Sequence, residues 1–268
     1  MGSRRLLIVD ASPVIRRALT VALSSASGIE VVGSASSGRI ALMKVPLLRP
    51  DVVALDVDLP GMDSLETLVA IRRAHPRASV VMLSAATPRA AAATLDALGQ
   101  GATDFVLKPD AAVPSEESIA LLCGQLVSKI DACCLIADLS GPAAAPRRPG
   151  VAADARVDVV AIGVSTGGPG ALMDLIPAFA ADFPVPILIV QHMPPLFTHL
   201  LAERLGARAR ISVAEGVQSR LVEPGRVWIA PGGSHMAITR DGAAIRLITH
   251  HGAPENSCRP SVDVLFRS

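Results

Sequence analysis

The stretch Gly163-Val-Ser-Thr-Gly-Gly-Pro-Gly170 lies between an apolar run, Val157–Ile162, and an apolar-periodic segment, Ala171–Phe179. That order reads as strand, tight turn, helix, with Ser165 at the apex. A G-x-S-x-G turn of this kind holds a serine hydroxyl exposed above a sheet edge. Backbone N–H groups at the start of the following helix, at Thr166 and Gly167, are suited to a developing oxyanion. The next apolar run, Ile187–Val190, ends in Gln191-His192-Met193. A histidine just past the adjacent strand is positioned to take the serine's proton. Ser165 and His192 are therefore the candidate nucleophile and base of an acyl-transfer hydrolase. Thr166, Gly167, Met193 and His235 are candidates for oxyanion or pocket support.

Other readings of the turn remain. A dinucleotide loop would need glycine where Ser165 stands, so that a pyrophosphate could approach the backbone. A phosphate-binding P-loop would need Gly-Lys-Ser/Thr, which does not follow. A glycine-rich turn without chemistry stays open. His250-His251 are adjacent and unsuited to ligating one metal together, and His199 belongs to the helix after Pro195.

The first half carries a second constellation. Asp10, Asp56, Ser84 and Lys108 each sit just past an apolar run. In an open parallel sheet, ligands bind beyond the carboxyl ends of the strands, so these four residues converge at one edge. Two carboxylates there suit Mg²⁺ completed by water. A hydroxyl and an ammonium suit a phosphoryl group carried on one of the carboxylates. Asp at a strand end is also a common turn former or N-cap. Lys108-Pro109 is a candidate cis peptide.

Regular α/β alternation must position these groups. Strands are expected at Leu6–Val9, Glu30–Ser34, Val52–Leu55, Val80–Leu83 and Phe105–Leu107. Helices are expected after the Ser12 cap and Pro13, then over Ser37–Leu47, Ser64–Arg73, Pro88–Leu98 and Ser115–Ala132. Gly141–Gly150, with three prolines, reads as a linker. A second α/β pattern has strands near Val157–Ile162, Ile187–Val190, Ile211–Val213, Arg226–Ala230 and Ile245–Leu247. The expected fold class is α/β, two doubly wound parallel-sheet domains. Expected boundaries are 1–128, a linker over 129–154, and 155–268.

The 268 residues carry 25 Lys+Arg against 24 Asp+Glu, and 2% aromatics without tyrosine. That balance argues against a nucleic-acid surface, which needs a basic stripe or stacking platform. Cys123, Cys133, Cys134 and Cys258 form no C-x-x-C pair and read as thiols in a reducing compartment. No apolar run approaches the ~20 residues of a membrane span, and charged residues and Pro13 interrupt the N-terminal run. A cytoplasmic protein without membrane insertion is expected.

With these motifs in view, residues 4 to 128 resemble the receiver domain of two-component response regulators. The matching residues are Asp10, Asp56 in Leu55-Asp-Val-Asp-Leu-Pro-Gly-Met-Asp63, Ser84-Ala85 and Lys108-Pro109. The resemblance implies a flavodoxin-like fold, a histidine kinase as phosphodonor and Asp56 as phosphoacceptor. It implies Mg²⁺ near Asp10 and Asp56, and Phe105 as an aromatic switch that repacks as Ser84 engages the phosphoryl group. Receivers usually place two adjacent acids after the first strand, and here the pair is Asp10-Ala11. Losing that ligand is expected to weaken Mg²⁺ binding and phosphorylation.

The second half resembles the catalytic domain of chemotaxis protein-glutamate methylesterases. The matching stretches are Ala161-Ile-Gly-Val-Ser-Thr-Gly-Gly-Pro169, Val190-Gln-His-Met-Pro194, Ile229-Ala-Pro-Gly-Gly-Ser-His-Met236 and Arg259-Pro-Ser-Val-Asp-Val-Leu-Phe266. The resemblance implies a Rossmann-like domain that hydrolyses γ-glutamyl methyl esters on chemoreceptors, with glutamine deamidation as a related activity and no cofactor. It implies Ser165 as nucleophile, His192 as general base and acid, and an unphosphorylated receiver that covers the site. Family members also carry a triad aspartate on a Met-Gly-x-Asp-Gly-type loop, which these 268 residues lack. Asp263 belongs to another motif and is expected to support a helix start. A C-terminally incomplete methylesterase domain is therefore expected. Loss of an orienting acid costs ~10⁴ in kcat in serine hydrolases. The rival expectation is a catalytically defective signalling protein that acts by binding or as a phosphoryl sink.

Overall fold

The computed structural model describes residues 3–109, 114–139 and 157–268. The chain divides into two compact units, 1–142 and 143–268. The linker expected at Gly141–Gly150 lies outside the described residues.

The first unit alternates β1 (Arg4–Val9), α1 (Pro13–Ser24), β2 (Ile29–Ala35), α2 (Gly38–Leu48), β3 (Val52–Asp56), α3 (Ser64–Ala74), β4 (Ser79–Ser84), α4 (Pro88–Gly99), β5 (Asp104–Leu107) and α5 (Glu116–Leu139). The strands form one parallel sheet in the order β2-β1-β3-β4-β5. Helix starts follow side-chain caps: Ser12, Ser37, Asp63 and Thr87 each accept the backbone N–H three residues on. Those bonds satisfy N–H groups that a helix start leaves without an internal partner. β3 is buried along its whole length, as a central parallel strand must be.

α5 runs past both the helix end expected at Ala132 and the boundary expected at 128. Over Glu116–Leu135 its mean hydropathy is 1.5, long and apolar enough by composition to cross a membrane. The apolarity has a different cause. Leu122, Leu126, Ile130 and Cys133 pack into the receiver core with Leu6, Ile8 and Leu19.

The second unit runs β6 (Val160–Val164), α6 (Gly168–Leu175), a 3₁₀ turn (Ile176–Ala178), β7 (Ile187–Gln191), α7 (Pro195–Arg208), β8 (Ser212–Glu215), β9 (Arg226–Ile229), β10 (His235–Asp241), β11 (Ala244–His250) and α8 (Val262–Arg267). Its parallel sheet has the order β6-β7-β9-β8, which leaves β6 at an edge with Ala161 and Gly163 exposed. β10 and β11 form a separate antiparallel hairpin. The expected strand at Ile245–Leu247 therefore belongs to this hairpin and not to the parallel sheet. Met236 and Leu247 are fully buried and pack with Leu188, Val190 and Trp228 of the sheet. Burying two such side chains contributes about 4 kcal/mol, which fixes the hairpin on the sheet face.

Candidate active site

β6 and β7 pair in parallel with Val164 opposite Gln191. Ser165 and His192 are each one residue past that pair. The backbone N–H of His192 donates to the Val164 carbonyl at 3.4 Å. Parallel neighbours lie about 4.8 Å apart, so the register sets both residues side by side at the carboxyl end of the sheet. Ser165 is exposed and His192 is half-buried.

The serine turn is held from two directions. Gly168 N–H donates to the Ser165 carbonyl at 2.8 Å, closing the turn from within. Gln191 Nε2 donates to the same carbonyl at 3.2 Å. Gly167 caps α6 at φ 76°, a left-handed conformation that favours glycine. A Cβ on Gly168 would collide with the Gln191 side chain and lie 2.8 Å from Val164 Cβ. Sequence reasoning did not single out Gln191. Its buried Oε1 has no hydrogen-bond partner, the mark of a side chain kept for position.

The loop after His192 is fixed by backbone packing. Met193 is buried. A Cβ on Gly232 would lie 2.7 Å from the Met193 carbonyl oxygen and closer still to Pro195 N. Gly232 N–H donates to Thr198 Oγ1 at 2.9 Å, and that hydroxyl donates to Glu215 Oε1 at 2.6 Å.

His235 was expected on a loop as pocket support. It instead opens β10 and is only 1% exposed. Its Nε2 bonds the Ala253 carbonyl at 3.0 Å, and its Nδ1 accepts the Ser261 N–H at 3.2 Å. Both ring nitrogens are thus committed to the 253–261 segment, and the residue acts as a clamp. That segment brings Cys258 Sγ to 3.6 Å from His192 Nδ1. The two residues are 66 positions apart, and no spacing rule points to the pair. Asp263 lies in the first turn of α8 and accepts from Asn256 Nδ2 at 2.8 Å, away from any triad role.

At the receiver edge Asp10 is fully buried and Asp56 nearly so. Lys108 Nζ reaches both, at 2.6 Å from Asp56 Oδ1 and 3.4 Å from Asp10 Oδ2. Burial, then the charge of Asp10, pushes the Asp56 carboxyl from its ordinary 3.8 to about 6 against the pull of Lys108. Burial works against the Lys108 ammonium, but its bond to Asp56 and the two carboxylate charges outweigh it and raise the lysine. Ser84 Oγ accepts from Thr94 Oγ1 at 2.8 Å, so its hydroxyl is held within the fold. Phe105 is buried on β5. Among the described residues the cis peptide is Arg259-Pro260, and Lys108-Pro109 is trans.

The donor set fits a hard cation with few protein ligands. Two buried carboxylates repel one another beside an ammonium that offsets the charge, and Ala11 adds no oxygen. Mg²⁺ commonly takes one or two carboxylates and keeps its waters. No group of three or more His, Cys, Asp or Glu suited to a metal occurs among the described residues.

Comparison with known proteins agrees with this two-part layout. The model of the CheB methylesterase family matches residues 160–268, and that of the response regulator receiver domain matches residues 6–114. A protein-glutamate methylesterase/protein-glutamine glutaminase of Trichodesmium erythraeum is 46% identical over 276 residues, covering all of this chain and 78% of the relative. One of the same name from Archaeoglobus fulgidus is 41% identical, covering 97% of this chain and 75% of the relative. The solved Thermotoga maritima CheB methylesterase catalytic domain is 39% identical with a TM-score of 0.40, covering 41% of this chain. The chain spans 59% of that domain's length. The response regulator domain of Thermotoga maritima CheB is 32% identical with a TM-score of 0.45, covering 49% of this chain and 96% of that one. A chain that matches such relatives across both its units, receiver first and serine turn second, belongs to the family of receiver-bearing CheB-type protein-glutamate methylesterases.

Proposed function

We propose that this chain is a phosphorylation-regulated protein-glutamate methylesterase acting on γ-glutamyl methyl esters of chemoreceptors. Glutamine deamidation by the same centre accords with the relatives' double name. The observation that carries the reading is the β6–β7 register, with Val164 opposite Gln191 and the next residues Ser165 and His192.

The chemistry follows from that adjacency. Ser165 Oγ attacks the ester carbonyl while His192 Nε2 takes its proton. Thr166 and Gly167 N–H groups stabilise the oxyanion of the tetrahedral intermediate. The C–O bond to methoxide then breaks, and His192 returns the proton so that methanol leaves. Water attacks the acyl-serine with His192 again as base, releasing the glutamate side chain and restoring Ser165.

In the receiver, Asp56 accepts the phosphoryl group from a histidine kinase. Lys108 and Ser84 contact the phosphoryl oxygens, and Phe105 repacks in response. Asp10 and Asp56 are the residues that would hold Mg²⁺, which would offset phosphoryl charge when bound. Phosphorylation relieves restraint of the esterase by the receiver.

The test measures methanol release from methylated chemoreceptor by the wild type and by Ser165→Ala. The reading requires release that depends on Ser165. Equal release from both proteins would leave only receptor binding or phosphoryl exchange.

A further inference from the structure

We propose that Thr94 is a positioning residue of the receiver's phosphoryl site: its hydroxyl holds Ser84 Oγ against α4 and must release it before Ser84 can turn to a phosphoryl group on Asp56. The proposal rests on the reading of Asp56 as phosphoacceptor and adds the residue that restrains its partner.

The strand register places Ser84 inside the site. β3 pairs with β4 so that Asp56 stands opposite Leu83, and Ser84 is the next residue. β4 pairs with β5 so that Ser84 stands opposite Leu107, and Lys108 N–H donates to the Ser84 carbonyl at 2.7 Å. Ser84 is therefore flanked by the strands that carry Asp56 and Lys108. Lys108 Nζ crosses to Asp56 Oδ1 at 2.6 Å. The Ser84 hydroxyl is engaged elsewhere. It accepts from Thr94 Oγ1 at 2.8 Å and donates to the Ala85 carbonyl at 3.2 Å. Ser84 and Thr94 are both fully buried, and Thr94 lies on the buried face of α4 with Ala90, Ala91 and Leu95.

The restraint is made to let go. Thr94 Oγ1 also lies 2.7 Å from the Ala90 carbonyl, one helical turn back. One hydroxyl proton thus serves two acceptors, Ser84 Oγ and the Ala90 oxygen. When Ser84 turns away, the proton keeps the Ala90 carbonyl, the habitual partner of a threonine inside a helix. No buried donor is stranded, which would cost more than the bond itself. Ser84 gives up neutral partners and gains a charged phosphoryl oxygen, a stronger acceptor. Thr94→Val exchanges the hydroxyl for a methyl group, so it deletes the restraint while keeping the branched shape. Thr94→Ser keeps the hydroxyl.

Beryllium trifluoride is the probe, a phosphoryl analogue: an oxygen of the Asp56 carboxylate displaces water from beryllium. The full chain is titrated with it at a fixed excess of Mg²⁺, and the bound form is followed by fluorine NMR. Thr94→Val should bind the analogue about five-fold more tightly than the wild type, the worth of one neutral hydrogen bond. Thr94→Ser should stay within about two-fold of the wild type. In a Ser84→Ala background, Thr94→Val should change nothing, whereas a purely structural effect of the valine would persist there. An affinity unchanged or weakened in Thr94→Val overturns the proposal, as does a gain that survives Ser84→Ala. Asp56→Asn sets the background signal. If the wild type and both Thr94 variants bind no more analogue than Asp56→Asn, the Asp56 reading fails and the proposal with it. Binding that needs Asp56 but ignores Thr94 ends the proposal alone.

Discussion

Lys108 Nζ sits 2.6 Å from Asp56 Oδ1 and bridges to Asp10 at 3.4 Å, so an internal ammonium already occupies the charge centre of the receiver edge. Any incoming cation or phosphoryl group meets a site whose two carboxylates are partly offset.

That arrangement makes stability depend on pH through Asp56. Its carboxyl rises from 3.8 in the open chain to about 6 when folded. The native state then holds the extra proton between those values, so stability is lost as pH rises from about 4 to about 6. Two units correspond to about 3 kcal/mol as an upper figure. Asp56→Asn should remove this slope and raise the receiver's melting temperature at pH 7.5, while matching the wild type near pH 4. Thermal melts of both proteins across that range check it.

Restoring the absent acid should strengthen metal binding. Ala11→Asp adds a carboxylate beside Asp10, and Mg²⁺ affinity should rise about ten-fold or more. Calorimetric titration of the two proteins, without any phosphodonor, measures it. Equal affinities would refute the assignment of Ala11 as the missing ligand position.

Gln191 holds the Ser165 turn through its Nε2, while its Oε1 is buried without a partner. Gln191→Leu removes the Nε2 bonds to the Ser165 and His192 carbonyls and also one unsatisfied acceptor. The melting temperature should change little, and kcat should fall about ten-fold, the equivalent of one hydrogen bond. Equal kcat in the variant would show that Gly168 alone fixes the turn.

Gly232 meets the backbone of Met193 to Pro195 with no space for a methyl group. Gly232→Ala should destabilise the second unit by about 1–3 kcal/mol, the usual cost of overpacking. Denaturant unfolding followed by the fluorescence of Trp228, the one tryptophan in the sequence, measures it.

The alternation of short apolar runs and capped periodic segments made the receiver legible nearly strand for strand. Val52–Leu55 became Val52–Asp56, and the Ser12 cap with Pro13 opens α1 as expected. Parallel sheets bury their strands on both faces, so such runs stand out in composition. The hairpin was missed although Gly242-Ala243, with the glycine at φ 61°, is a two-residue turn between alternating segments. Its strands carry exposed threonine and arginine, which dilute the apolar pattern. α5 was read too short because its apolar surface continues past the expected boundary. The Cys258–His192 contact was out of reach, since it depends on left-handed backbone at Asn256 and Ser257 and on a histidine clamp, which no local pattern reports.

Among the described residues β6 bonds to a single neighbouring strand, β7, and His192 follows directly on that strand's last residue, Gln191. The proposed nucleophile and base therefore share one ladder of hydrogen bonds, steadied outside that ladder by α8, whose Val262 packs against Gly163 of β6. Loosening that seam would misalign both partners in a single event. Slow amide exchange along Val160–Val164 would then serve as a gauge of how well the reacting pair is kept in register.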